Sequence, residues 1–129
     1  MNIIAIVQAR MGSTRLPKKV MKEINSTPLI GILLKRLSLS KKIEKIILAT
    51  SDSDINQPLI KYVASEGYTV ETGSENNVLE RFYYAAKKHH ADIVVRITGD
   101  CPLIDAEIVD NVISLFLEKK LDYSSNVNP

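Results

Sequence analysis

Continuous hydrophobic runs alternate along the chain with segments of mixed polarity. Three runs have the length and the β-branched composition of buried strands: IIAIV at 3–7, IEKIILAT at 43–50 and ADIVVRIT at 91–98. A shorter segment, YTVET at 68–72, resembles a fourth strand. The first and third runs are continuously apolar at their centres, which predicts strands covered on both faces, as in a parallel sheet.

Between these runs, apolar residues recur at the spacing of amphipathic helices. The first helix is predicted to have Thr27 as its N-cap and Pro28 as its first residue, and to end at about Leu39. The second spans about 57–66 and stops at Gly67. Two more are predicted downstream, one after Ser74 and one after its N-cap Asp105. Their apolar faces are Val78, Leu79, Phe82, Ala85 and Ala86 in one, and Ile108, Val109, Val112, Ile113 and Phe116 in the other.

Strands that alternate with helices predict a mainly parallel sheet between two helical layers, the Rossmann-like α/β three-layer sandwich. The length of 129 residues fits one domain over 1–129. Folds of this class bind ligands at the carboxyl ends of their strands. The candidate binding segments are therefore 8–19, 50–54 and 99–105, each of which follows a predicted strand.

The overall charge is nearly balanced, with a formal net charge of +2. Such a balance indicates no general affinity for nucleic acid or for an anionic membrane, so neither is an expected partner. The single cysteine, Cys101, suits the reducing cytoplasm, where we expect the protein to be located. The hydrophobic runs are too short for a signal peptide or a membrane span.

The positive charge is concentrated in the segment QARMGSTRLPKKVM at 8–21, ahead of the first acidic residue, Glu23. Arginine side chains bind phosphate oxygens in pairs of hydrogen bonds, and lysine supplies a compact charge. The P-loop pattern is absent because Pro17 replaces its second glycine, and the dinucleotide pattern is absent as well. From these residues alone, a phosphate-binding loop and a solvated basic loop both remain open.

The segment VQARMGSTRLPKKVM closely resembles the signature loop of the cytidylyltransferases that make CMP-linked acidic sugars, such as CMP-KDO and CMP-sialic acid. The likeness is closest to the spore coat polysaccharide biosynthesis protein F family, and it implies a fold of the nucleotide-diphospho-sugar transferase type. Three further stretches agree in order and spacing: IILATSDSD at 46–54, residues 73–105 with the sequence RITGDCPLID at their end, and DYSSNVNP at 122–129.

The resemblance implies binding of CTP and Mg²⁺, attack of a sugar hydroxyl on the α-phosphate, and release of pyrophosphate. It assigns Arg15, Lys19 and Asp100 to catalysis, with Asp100 as the Mg²⁺ ligand. The nucleotide-binding residues that it implies are Ala9, Arg10, Gly12, Ser13, Arg15 and Lys19. Lys18 departs from the family, which usually has glycine at this position.

Position in the predicted fold supports Asp100 independently, since a carboxylate at a strand end suits a hard cation. Candidate contacts with the sugar or the base are Asp52, Val78 and Arg96. Asp52 also fits ordinary turn chemistry, and Arg96 is a charge inside a strand predicted to be buried, where it needs a partner.

Family members continue past the residue that aligns with Pro129, so 1–129 is interpreted as the N-terminal part of a longer fold. The absent part would carry a second metal ligand and contacts of a homodimer. Whether the chain alone turns CTP over, and on which sugar, stays open. The alternatives are a non-catalytic nucleotide-binding module and a glycosyltransferase with a nucleotide-sugar donor.

Overall fold

A computed structural model describes residues 1–9, 11, 21–73, 77–99 and 103–119. Within these ranges the chain forms a parallel sheet with helices on both faces. In chain order the elements are β1 (Ile3–Gln8), β2 (Glu23–Ile24), β3 (Thr27–Pro28), α1 (Leu29–Leu37), β4 (Lys45–Ser51), α2 (Gln57–Ser65), β5 (Thr69–Gly73), α3 (Val78–Lys88), β6 (Ile93–Thr98) and α4 (Ala106–Lys119).

The main sheet has the strand order β5-β4-β1-β6, and all its pairs are parallel. The predicted Rossmann-like three-layer fold is therefore confirmed. From β1 the chain moves outward through β4 to β5, and it then returns to the other side of β1 to form β6. This reversal places the topological switch point between β1 and β6, where α/β sheets of this kind bind ligands.

The hydrophobic core lies on both faces of β1, because successive side chains of a strand point to opposite faces. Ala5 and Val7 pack with α1, α2 and α4, while Ile4 and Ile6 pack with α3. All four are fully buried. The continuous apolar run at 3–7 thus has the two-sided cover that was predicted.

Strand β6 differs from that prediction. Ile97 packs into the core, but Val94 and Arg96 on the opposite face are exposed. In the part of the chain that the structure describes, β6 is an edge strand that pairs with β1 alone. The expectation that Arg96 lies in a buried strand was wrong, because an edge position leaves this face open to solvent.

The start of α1 also differs from the prediction. Thr27 and Pro28 form β3, which pairs with β2 in a short antiparallel hairpin. Asn25 and Ser26 at its turn have φ angles of 52° and 69°, the left-handed pair that a two-residue hairpin loop requires. Thr27 therefore caps no helix, and α1 begins at Leu29.

The remaining helix ends follow local sequence signals. Gly67 ends α2 with a φ of 89°, a conformation that glycine adopts without strain. Asn77 caps α3 by accepting a hydrogen bond from the amide of Glu80. Asp105 caps α4 as predicted, since its carboxylate accepts the amide of Glu107 at 2.9 Å.

Two residues of the predicted apolar faces are exposed instead. Leu79 of α3 is 78% exposed, whereas Arg81 two positions later is buried. Ile108 of α4 is 44% exposed, although its neighbour Val109 is buried. A rotation of about 100° per residue separates adjacent helical positions, so only part of each apolar stripe can face the sheet.

Candidate functional site at the carboxyl edge of the sheet

The ends of β1 and β6 are in direct contact at the switch point. The amide of Gly99 donates a 2.7 Å hydrogen bond to the carbonyl oxygen of Gln8. A Cβ atom at position 99 would lie 2.5 Å from the Cβ atom of Ala9, so the backbones approach more closely than a side chain permits. The residues directly before Arg10 and Asp100 thus lie side by side.

Most of the sequence-predicted site falls outside the described residues. This applies to Arg10, Gly12, Ser13, Arg15, Lys19 and Asp100, whose roles remain predictions. Ala9 is described, and its side chain is buried at the end of β1. The structure therefore places the two strand ends from which the predicted phosphate loop and the predicted metal ligand follow.

A buried hydrogen-bond cluster joins the first loop to the end of β4. The amide of Met11 donates to Oδ1 of Asn56 at 2.8 Å. Nδ2 of Asn56 donates to Oγ of Ser51 at 2.6 Å and to its carbonyl oxygen at 3.3 Å. Asn56 was not among the predicted site residues, because an asparagine in the segment SDSDIN is typical of an exposed turn.

Asp52 follows Ser51 at the same edge of the sheet. Its amide donates to the carbonyl oxygen of Gly73 at 3.2 Å, which extends the pairing of β4 with β5 by one step. The residue is exposed, and so is Asp54 in the 3₁₀ turn that follows. Among the described residues, no group of three acidic, histidine or cysteine side chains could hold a metal ion.

Arg96 lies beside the end of β1 on the α3 face of the sheet. Its Nη2 atom donates to Oε1 of Gln8 at 3.2 Å. Its guanidinium carbon lies 4.8 Å from the centre of the Phe82 ring, within the range of a cation–π interaction. Arg96 is thus held near the switch point while it remains exposed to solvent.

Helix α3 begins at the same carboxyl edge. Val78, its first residue, is half-buried. Arg81, one turn later, is buried, and its Cγ atom would lie 3.0 Å from a Cβ atom at Gly73. From the sequence, Arg81 could not be distinguished from a residue in an ordinary helix start. The structure shows that it is buried near the end of β5.

A charged cluster lies between β5 and the C-terminal end of α3, away from the switch point. The carboxylate of Glu71 pairs with Nζ of Lys88 at 3.0 Å and with Nε2 of His89 at 3.4 Å. Partial burial raises the pKa of Glu71, but the hydrogen bonds from Lys88 and His89 lower it more, so this pKa lies below its ordinary value.

Residues 4–129 match the family model of the cytidylyltransferases. The chain belongs to the cytidylyltransferase family. The spore coat polysaccharide biosynthesis protein SpsF of Bacillus subtilis is 36% identical over 131 residues, an alignment that covers 98% of this chain and 55% of SpsF. The resemblance found in the basic loop and in RITGDCPLID is confirmed.

Two solved structures extend this comparison. A cytidylyltransferase from Leptospira borgpetersenii is 40% identical and superposes with a TM-score of 0.89, covering 93% of this chain and 50% of the other. A CMP:2-keto-3-deoxy-manno-octonic acid synthetase in complex with CTP, 22% identical, has the same fold at a TM-score of 0.81 and covers 93% and 49%. This cytidylyltransferase-family chain therefore spans about half the length of the relatives it matches.

No helix among the described residues has the length and hydrophobicity needed to cross a membrane.

Proposed function

We propose that this chain binds CTP with Mg²⁺ and that residues 1–129 serve as the nucleotide-binding part of a cytidylyltransferase. The product would be a CMP-linked acidic or related sugar for a surface polysaccharide. The contact between Gln8 and Gly99 carries the proposal, because it joins the segments that contain the basic loop and Asp100 at the switch point. A phosphate group at this point would meet both segments.

The basic loop supplies the groups for the triphosphate. Arg10 and Arg15 would donate paired hydrogen bonds to phosphate oxygens, and Lys19 would add a point charge. Ser13 would donate from its hydroxyl, while Gly12 and Ala9 would let the backbone approach the nucleotide. Family membership and the CTP complex of the related synthetase support this assignment.

Asp100 is the proposed Mg²⁺ ligand. Mg²⁺ is commonly bound by one or two carboxylates together with phosphate oxygens, and a carboxylate beside a basic phosphate loop fits that donor set. When bound, the ion would neutralise charge that develops on the phosphates during transfer. Asp100 would hold this charge next to Gly99, which is itself fixed against Gln8.

The proposed reaction asks the protein mainly for positioning and charge stabilisation. The anomeric hydroxyl of the sugar would form a bond to the α-phosphorus and lose its proton, while the bond from that phosphorus to the β-phosphate oxygen breaks and pyrophosphate leaves. Arg15 and Lys19 would stabilise the charge on the leaving group. Asp52, Val78 and Arg96 are the proposed contacts with the sugar or the base.

Binding and turnover are tested separately, since the chain spans about half of its relatives. Calorimetric titration with CTP, ATP, GTP and UTP in the presence of Mg²⁺ tests the nucleotide, and CTP is expected to bind most tightly. ATP that binds equally well or better would contradict the assignment of the base.

Turnover is measured as CTP-dependent release of pyrophosphate with acidic sugars such as KDO and sialic acid. Release that requires both CTP and a sugar supports a cytidylyltransferase active within this length. CTP binding without release supports the second candidate, a nucleotide-binding module that does not turn over alone. Hydrolysis of a nucleotide-sugar without CTP would instead indicate a glycosyltransferase.

A further inference from the structure

We infer that Asn56 is a positioning residue for the nucleotide loop, which it holds through the backbone of Met11. Met11 lies between Arg10 and Gly12, two of the proposed triphosphate-binding residues. The inference rests on the proposed function and assigns a role to a residue outside the basic loop. Asn56 is 45 positions away in the sequence, in the 3₁₀ turn after β4.

The amide group of Asn56 is oriented by its partners. Its oxygen accepts the Met11 amide at 2.8 Å, and its nitrogen donates to Oγ of Ser51 at 2.6 Å and to the Ser51 carbonyl oxygen at 3.3 Å. The residue is 1% exposed. A side-chain amide that is buried to this degree and bonded at both ends has little freedom to rotate, so it fixes Met11 relative to β4.

The hydrogen bond between Met11 and Asn56 affects the conformation of the loop more than the packing of the hydrophobic core. Met11 already packs its side chain into the hydrophobic core, which holds one end of the residue. The hydrogen bond to Asn56 also orients the backbone amide of Met11. A loop whose starting peptide is already oriented loses less conformational freedom when it binds a triphosphate, and binding is correspondingly tighter.

Asn2 provides a matched control. It lies at the opposite, amino end of the sheet, just before β1, and its Nδ2 atom donates to the carbonyl oxygens of His89 and His90 at 2.8 and 3.0 Å. Asn2→Ala thus removes two hydrogen bonds that an asparagine side chain donates to backbone carbonyl oxygens. Asn56→Ala removes one such bond, to the carbonyl oxygen of Ser51, together with the bond to Oγ of Ser51 and the bond accepted from the Met11 amide. The two variants differ in their distance from the nucleotide edge.

The test compares the full chain with Asn56→Ala, Ser51→Ala and Asn2→Ala, by urea unfolding and by calorimetric titration of CTP with Mg²⁺ at a temperature where all are folded. Asn56→Ala is expected to raise the dissociation constant about ten-fold, as the loss of one hydrogen bond to a preorganised loop predicts. Ser51→Ala, which removes the 2.6 Å partner but leaves the Met11 bond, should give a smaller increase. Asn2→Ala should lower stability and leave CTP affinity unchanged.

Hydrogen exchange of the Met11 amide gives a second measurement that does not depend on nucleotide. Its protection should be lost in Asn56→Ala and kept in Asn2→Ala. If Asn56→Ala binds CTP as tightly as Asn2→Ala does, or keeps the protection of Met11, the inference is overturned and the proposed function is unaffected. A parent chain that binds no CTP overturns the proposed function and the inference together, so the two failures are distinguishable.

Discussion

The amide of Gly99 donates a hydrogen bond to the carbonyl oxygen of Gln8, and the 2.7 Å distance marks where β1 and β6 end side by side. This contact extends the parallel pairing of Gln8 with Thr98 by one residue. The basic loop and Asp100 follow these two strand ends directly in the sequence. The geometry of the proposed site therefore depends on a backbone approach that leaves no space for a side chain at position 99.

Gly99→Ala is expected to lower the free energy of unfolding by about 1–3 kcal/mol, the usual cost of overpacking. The new Cβ atom would lie 2.5 Å from the Cβ atom of Ala9 and 3.0 Å from the Gln8 carbonyl oxygen, so the strand ends must move apart. CTP affinity should fall with stability. Urea unfolding and calorimetric titration measure the two effects.

The control for this variant is Gly67→Ala, at the end of α2. Its φ of 89° strains alanine by about 1–2 kcal/mol, but among the described residues, apart from Gly67 and its two chain neighbours, no atom lies within 4 Å of the new Cβ position. It should lose stability and keep its CTP affinity. Equal effects of the two variants on binding would show that the contact of Gln8 with Gly99 has no special relation to the site.

Arg15→Ala and Lys19→Ala should each weaken CTP binding by about 1.5–3 kcal/mol, the range for hydrogen bonds to charged groups. Neither change should alter the urea midpoint, because charged side chains of a phosphate loop are expected to contribute little to the core. Lys22→Ala is the matched control, since Lys22 is an exposed lysine just after the loop. A variant that unfolds earlier but binds CTP normally would assign a structural role to the loop.

Asp100→Asn should remove the dependence of CTP binding on Mg²⁺. A bare carboxylate beside a triphosphate repels it, so a cation is needed between them, and neutral asparagine removes both the repulsion and the metal ligand. Metal-free CTP should bind this variant at least as well as it binds the parent, with no further gain on addition of Mg²⁺.

Asp105→Asn controls for the chemical change, since asparagine also caps helices and α4 should persist. This control should keep the response of the parent chain to Mg²⁺. If Asp100→Asn kept that full response as well, the metal would be bound elsewhere.

Glu71→Gln should reduce stability at neutral pH and have no effect in acid. Because the folded-state pKa of Glu71 lies below the ordinary value of 4.5, the ionised pair contributes stability above pH 4.5 and loses it as the pH falls through the folded-state pKa. The expected difference at pH 7 is roughly 0.5 kcal/mol, since Lys88 is largely exposed. Urea unfolding of this variant and of Glu44→Gln, at an exposed position, from pH 7 to pH 3 measures it; a difference that grew in acid would contradict the pairing.

The sequence by itself determined the four strands of the main sheet and the family. The five consecutive apolar residues at 3–7 predict a strand covered on both faces, and β1 is buried in this way. Gly67 and Asp105 act through their own backbone neighbours, and for that reason their roles at helix ends were also readable. The basic loop and RITGDCPLID indicate the family from sequence alone, because each motif is a continuous segment that can be recognised without knowledge of the fold.

Only the tertiary structure decided strand pairing, side-chain exposure at the edge of the sheet and the hydrogen bonds between distant segments. Thr27 pairs with Ile24 instead of capping a helix, because a hairpin turn at Asn25 and Ser26 competes with the local capping signal. Arg96 is exposed because strand order, which periodicity does not encode, makes β6 an edge of the described sheet. The bond from Met11 to Asn56 spans 45 positions and depends on β1 lying beside β4, so no local pattern contains it.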